Sequence, residues 1–461
     1  MRGPGVDIGV LGVLPVRAAE LDSALAVDQW LRSVGSAERS RQVDSMAKAK
    51  LARFVSLLDS ATGPELLGSV DGDLATRIIR SADIGQSARW LEALECDDAA
   101  EILRRLDNSA RESLLEQIGG EPAQSLREVL RWPPKSVAAH MLPDVFTIPD
   151  TITAADAEAV VREQSTQVRG RARAGALIYV TDADRQLIGF VEFQDLVLAQ
   201  PDQIVAELAS DDPVWVRPLV DAEQAAHSLV DYDLAALPVV DDQRRILGVL
   251  TADAAADILE TEATKDAERQ GGSEPLEVPY LRASPVRLWR KRIVWLLVLF
   301  IAEAYTGTVL RAFEDEMEAV VALAFFIPLL IGTGGNTGTQ ITTTLVRAMG
   351  TGQVRLRDLP RVLAKEVSTG FLVALTMALA AIVRAWTLGV GPQITITVAL
   401  TVAAIVLWSA LVSSVLPLLL KKCRVDPAVV SAPMIATIVD GTGLIIYFLI
   451  AHATLPQLAG L

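Results

Sequence analysis

An apolar run from Val429 to Leu455 is long enough to cross a bilayer as a helix, and near its middle it carries one acidic side chain, Asp440. Spanning takes roughly 20 apolar residues. A carboxylate at that depth costs about 2.5 to 3.5 kcal/mol on insertion scales, so it is kept where it meets a partner, water or an ion. The run therefore implies both a membrane-spanning helix and a cation pathway beside Asp440.

Four further apolar stretches precede it, giving five spans near residues 292 to 312, 319 to 345, 362 to 386, 393 to 420 and 430 to 455. Basic residues fall on alternate sides. Arg287, Arg290, Lys291 and Arg292 precede the first span, Arg347, Arg355, Arg357, Arg361 and Lys365 crowd the second loop, and Lys421, Lys422 and Arg424 the fourth. The first loop is acidic, with Glu314, Asp315, Glu316 and Glu318, and the third is neutral. The positive-inside rule puts the long N-terminal part and both basic loops in the cytoplasm and the C-terminus outside, in a multi-pass protein of the inner or plasma membrane. Glu314 and Glu318 then enrich cations at the outer mouth.

Residues 291 to 461 hold 12 of the 42 basic and 9 of the 57 acidic side chains, so the first 290 residues carry the whole acidic excess. That acidity argues against a nucleic-acid partner and favours divalent cations. Two cysteines, Cys96 and Cys423, and three scattered histidines form no soft-metal cluster, which leaves oxygen as the ligand for any metal. No nucleophile with its base and no phosphate loop stands out, so the chain does not read as an enzyme.

Residues 1 to 20 read as a tail or a packed cap. The short run Ile8 to Val16 faintly resembles a signal-peptide core, but export of the acidic part would put the basic residues before the first span on the wrong side. From 21 to 132 apolar positions recur at helical spacing, as in Leu91, Leu94, Ile102, Leu103 and Leu106, with Gly119-Gly120 as a stop. Asp97, Asp98 and Glu101 lie within about one turn there, and spacing alone makes them an N-cap and an exposed face.

Between 133 and 260 the segment Val180 to Gly189 recurs as Val239 to Gly248, each a strand, a polar turn and the start of a second strand, followed by a helix. This pattern resembles tandem cystathionine-β-synthase (CBS) modules, which in many proteins bind adenine nucleotides. The resemblance implies ATP or another adenine nucleotide at Asp195 of the first copy, whereas Ala254 stands at the equivalent place in the second; a purely structural role is the competing reading. From 261 to 290 a charged helix connects these modules to the first span.

The second span ends in Pro328 to Gln340, where Gly332, Gly334, Gly335 and Gly338 alternate with Thr333, Asn336, Thr337, Thr339 and Gln340. Small residues let helices approach closely, and polar groups at depth favour a wet pathway. In the last span Pro433 removes a backbone donor before Thr437, Asp440 and Thr442, which frees carbonyls one turn earlier. The segments Pro328 to Gln340, Asp426-Pro427 and Pro433 to Tyr447 resemble the signatures of the MgtE family of magnesium channels, and the order of parts matches from about residue 25 to 455. The fold class is then multidomain: an all-α N-terminal domain, α/β tandem CBS modules and an all-α five-helix transmembrane domain from 291 to 461.

The resemblance implies a homodimer with the pore at its interface, Mg2+ bound between cytosolic domains, and closure when cytosolic Mg2+ is plentiful. It makes Asp440 the pore ligand with the Ala436 carbonyl beside it. It assigns sensing to Asp97, Glu101, Glu223, Asp233, Asp257, Glu262 and Asp266, joined by Asp426. Ala254, Lys265, Ala432 and Thr339 depart from the family pattern. Magnesium gives up water reluctantly, so a wide site of a few carboxylates suits it. Two alternatives compete: a coupled transporter or a channel for other divalents such as Mn or Co, and a non-conducting, membrane-anchored nucleotide or magnesium sensor.

Overall fold

The computed structural model describes residues 17–143, 145–163, 177–210, 213–276, 278–423, 426 and 432–458. The run Ile8 to Val16, Arg424 and Pro427 lie outside them. The chain divides into two compact units, Met1–Glu260 and Thr261–Leu461.

Nine short helices open the first unit: α1 Ala24–Ser33, α2 Ser36–Asp44, α3 Lys48–Val55, α4 Thr62–Leu67, α5 Gly72–Ile79, α6 Ile84–Ala93, α7 Cys96–Arg104, α8 Asn108–Ile118 and α9 Gly120–Arg131. Side chains start several of them. Ser23, Asp71, Asp83 and Asp107 each accept from the backbone N–H three residues on, satisfying a donor that a helix start otherwise leaves open. Their apolar faces share one core, in which Trp30 packs edge-on against Phe54 and Trp90 is fully buried.

The two repeats fold alike. In the first, β1 Thr147–Pro149 runs parallel to β2 Leu177–Thr181, which pairs antiparallel with β3 Leu187–Glu192. In the second, β4 Ala236–Val240 pairs antiparallel with β5 Ile246–Thr251, and Val216 takes the place of β1 with a single parallel bridge to Val239. Each hairpin has a register shift at the same point, an aspartate (Asp182 or Asp241) accepting from backbone N–H groups of the turn, and an arginine at positive φ (Arg185 and Arg244). The hairpins meet edge to edge: the Leu187 amide donates to the Arg244 carbonyl at 2.9 Å, and Leu142, Tyr179, Leu187, Val240 and Val249 share one core. Gly189 and Gly248 are equivalent too, since a Cβ on either would lie 2.5 Å from the Ser210 carbonyl or 2.7 Å from that of Leu142. Helices α10 Ala154–Glu163, α11 Phe193–Leu198, α12 Val205–Leu208 and α13 Ala222–Asp231 complete the modules.

Helix α14, Ala252–Gln270, continues from β5 and passes through the unit boundary. The helix expected over 261 to 290 is in two parts. Gly271 and Gly272, the latter at φ 73°, end α14; a 3-10 turn covers Tyr280–Arg282; Ser284 then caps a new helix that starts at Pro285.

Five helices are long and apolar enough to cross a membrane: Pro285–Ala312, Val321–Gly350, Leu356–Leu388, Pro392–Lys422 and Ala432–Thr454. Their α-helical parts are α15 Pro285–Ala312, α17 Ile327–Gly350, α18 Leu359–Leu388, α19 Pro392–Lys422 and α20 Ala432–Thr454, with the short α16 Glu314–Ala319 between the first two. Helices α17, α19 and α20 form the packed centre, where Ile405, Val406, Ile435, Val439 and Tyr447 are buried, while α15 and α18 expose apolar faces such as Phe300, Ile301, Leu375 and Trp386. The glycine-rich segment is regular helix throughout, because in lipid its missing side chains serve close packing and no water competes for its backbone.

Candidate cation pathway

Glycines decide how α17 meets α20. A Cβ on Gly338 would lie 2.5 Å from Ile435 Cγ2, and one on Gly334 2.7 Å from Val439 Cγ1. The third, Gly335, faces the acid itself: its Cβ position is 3.3 Å from Ala436 Cβ and 3.6 Å from Asp440 Oδ1. Ser409 on α19 donates to the Gly334 carbonyl at 2.8 Å, and Trp408 donates from Nε1 to Thr442 Oγ1 at 2.8 Å, which fixes the helices around that point. Asp440 Oδ1 is sealed from solvent and has no hydrogen-bond partner. A carboxylate oxygen in that condition is costly unless a proton or a cation neutralises it.

The polar residues around it behave differently from expectation. Thr333 and Thr337 turn their hydroxyls back onto their own helix, donating to the Leu329 and Thr333 carbonyls, while Asn336 and Gln340 are exposed. Pro433 falls in the first turn of α20, which is unbroken from Ala432 onward, so Ala436 stands one turn before Asp440 with its carbonyl within the helix ladder. The carbonyls one turn before Pro433 lie outside the described residues. Between the first two spans, Glu314 and Glu318 are exposed. Glu316, which drew no separate role, turns inward and meets His452 Nε2 at 2.9 Å.

One more carboxylate was missed. Glu303 lies in α15, exposed among apolar residues, and acts electrostatically on Asp440. The signal that singles out Asp440, an acid inside an apolar run, was equally present at Glu303.

Among the sensor candidates expected from the sequence, the structure gathers one set and separates the rest. Asp97 is the second residue of α7, where the helix N-terminus favours negative charge; Glu95 holds the N-cap place without a side-chain cap bond. Asp97 Oδ1 is buried and lacks a hydrogen-bond partner. Burial, then the charge of Glu95 and after it that of Asp253, push the Asp97 carboxyl up to about 6. Neither Glu95 nor Asp253 was expected there, because attention in that turn went to Ala254. Glu101 instead pairs with Arg105 at 2.5 Å, and Glu223 lies 3.8 Å from His227. Asp233 is exposed at positive φ, Asp257 is exposed one turn beyond Asp253, and Asp195 is exposed in the first turn of α11.

In the second unit protein cations already occupy the carboxylates. Glu262 pairs with Lys265 at 2.6 Å, and Arg269 reaches Asp426 at 2.6 Å and Asp266 at 3.8 Å. Burial and then the Asp426 charge push the Asp266 carboxyl up, opposed by Arg269. Among the described residues no three His, Cys, Asp or Glu side chains converge tightly enough to hold a metal alone.

Three family models match in the order of the parts: the MgtE intracellular N domain over 35–135, a CBS domain over 205–260, and MgtE, described as a divalent cation transporter, over 327–450. The chain belongs to the MgtE family. It is 41% identical over 278 residues to the magnesium transporter MgtE of Thermus thermophilus, covering 60% of this chain and 62% of that protein. With the magnesium transporter MgtE of Bacillus subtilis it shares 31% identity over 282 residues, 61% of this chain and 62% of the other. The chain thus spans somewhat under two thirds of the length of these two relatives. A solved structure of the cytosolic domain of the Mg2+ channel MgtE in complex with ATP is similar at 24% identity and a TM-score of 0.46, covering 51% of this chain and 95% of that one.

Proposed function

We propose that this MgtE-family chain is a magnesium-selective channel of the inner or plasma membrane, opened and closed by Mg2+ binding to acidic groups of its soluble part. The observation that carries the reading is Asp440, an unpartnered carboxylate inside the last span that faces Gly335 of the glycine-rich helix. Glu314 and Glu318, exposed before the second span, gather cations at the outer end. In a homodimer, two copies of Asp440 would repel unless a divalent cation lay between them.

For sensing, Asp97 fits a cation, since Mg2+ there would satisfy its buried oxygen and screen the charges of Glu95 and Asp253 that act on it. Binding that favours one arrangement shifts the population toward it. Nucleotide at the CBS modules belongs to the same proposal, with Asp195 as the ribose contact. Titration of the protein with ATP before and after Asp195→Ala tests it, and equal affinity removes that residue.

Magnesium flux into proteoliposomes holding the wild type or Asp440→Ala, with Mn2+ and Co2+ as competitors, tests the main reading. Loss of a magnesium-selective flux in the variant is expected. Unchanged flux removes Asp440 as central ligand, and flux that needs a proton or sodium gradient replaces the channel with a coupled carrier.

A further inference from the structure

We propose that Glu303, Thr306 and Asp440 make one cation site between α15 and α20, in which two carboxylates and a hydroxyl of the same chain face a partly hydrated divalent ion. This deepens the transport reading and rests on Asp440 lying along the pathway.

Three observations converge. Thr306 is buried to 5% exposure, and its Oγ1 has no hydrogen-bond partner. That atom lies 3.2 Å from where a Cβ on Gly441 would be, so it points at the backbone beside Asp440. Helical threonines normally return the hydroxyl to a carbonyl of their own preceding turn. Thr308, Thr333, Thr337 and Thr442 all do so here, and Thr306 does not.

Glu303 precedes Thr306 by three residues, which puts both on one face of α15, about 4.5 Å apart along its axis. That face packs on α20, where the Tyr305 ring and Thr306 close over Gly441. Glu303 is the charged neighbour that acts on Asp440, and among the described residues it has no hydrogen bond or ion pair of its own. A lone carboxylate on an apolar helix is as costly as Asp440, and two of them together repel. A divalent cation between them removes both penalties and satisfies the two orphaned oxygens. Because Mg2+ keeps several waters, two carboxylates and a hydroxyl are a sufficient direct ligand set.

The test uses the full chain in lipid nanodiscs and Mn2+ alone as the probe, with bound Mn2+ counted by electron paramagnetic resonance. Wild type, Glu303→Gln, Glu303→Asp, Thr306→Val, Asp440→Asn and the Glu303→Gln, Asp440→Asn pair are compared, and sites elsewhere give a constant background. Magnesium flux is measured in parallel. The expected result is that Glu303→Gln and Asp440→Asn each weaken the same Mn2+ site roughly tenfold or more, with no further loss in the pair. Glu303→Asp should restore it and Thr306→Val should weaken it; should Glu303→Gln fold poorly, the Thr306→Val arm decides. Mn2+ binding lost in Asp440→Asn but kept in Glu303→Gln and Thr306→Val overturns the shared site and leaves Asp440 alone on the pathway. Glu303-dependent Mn2+ binding in a wild type that passes no magnesium supports the site and overturns the transport reading.

Discussion

Asp97 shows how burial sets the chemistry of a carboxylate. Its folded-state carboxyl titrates near 6, above its ordinary value of 3.8, so the protonated form is the one the fold favours. The associated stability is complete below the ordinary value and is lost as pH rises through about 6. Asp97→Asn should therefore stabilise the Mg2+-free chain by about 1 to 2 kcal/mol at pH 7.5 and change little at pH 4, read from melting curves at the two pH values. Apparent Mg2+ affinity of the wild type should fall below pH 6, where the ion must displace a proton, and Asp97→Asn should remove that dependence. Asp440 was legible in the sequence because a charge in a long apolar run has few innocent explanations. Asp253 and Glu95 were not, because in an acidic chain most carboxylates are solvated, and only the folded position of Asp97 distinguishes these two.

Spans, hairpins and the duplicated turn could all be read from periodicity and composition, whereas the state of the glycine-rich segment could not. In water, four glycines within seven residues break a helix; between apolar helices the same residues are contact surface. The distances rank the consequences. Gly338→Ala puts a methyl 2.5 Å from Ile435 Cγ2 and 2.8 Å from Ser409 Oγ, in a place with no flexible end to move aside. It should cost about 1 to 3 kcal/mol and lower magnesium flux, because α17 and α20 must separate beside Asp440. Ser409→Ala, which loses only a hydrogen bond to the Gly334 carbonyl, should cost about 0.6 kcal/mol, and melting in detergent compares the two. Comparable losses would mean that the hydrogen bond, not the close approach, holds the helices.

The chain joins an acidic first part to an apolar second one, and its charge balance changes where they join. Arg269 already pairs with Asp426 at 2.6 Å and reaches Asp266 at 3.8 Å. Arg269→Gln should leave those carboxylates repelling each other, so that closure needs several-fold more cytosolic Mg2+, measured as flux against internal magnesium. Unchanged dependence would separate this cluster from gating. Family membership was legible because the order of parts survives in a single sequence; oligomeric state and gating are properties of more than one chain or more than one state. The two CBS repeats carry a different implication. Each hairpin offers the other a strand edge, through the Leu187 amide and the Arg244 carbonyl, and each supplies part of a common core. A single repeat taken alone would present a bare strand edge and a half-built interior, so the second repeat covers in the same chain what one repeat would otherwise offer to another molecule.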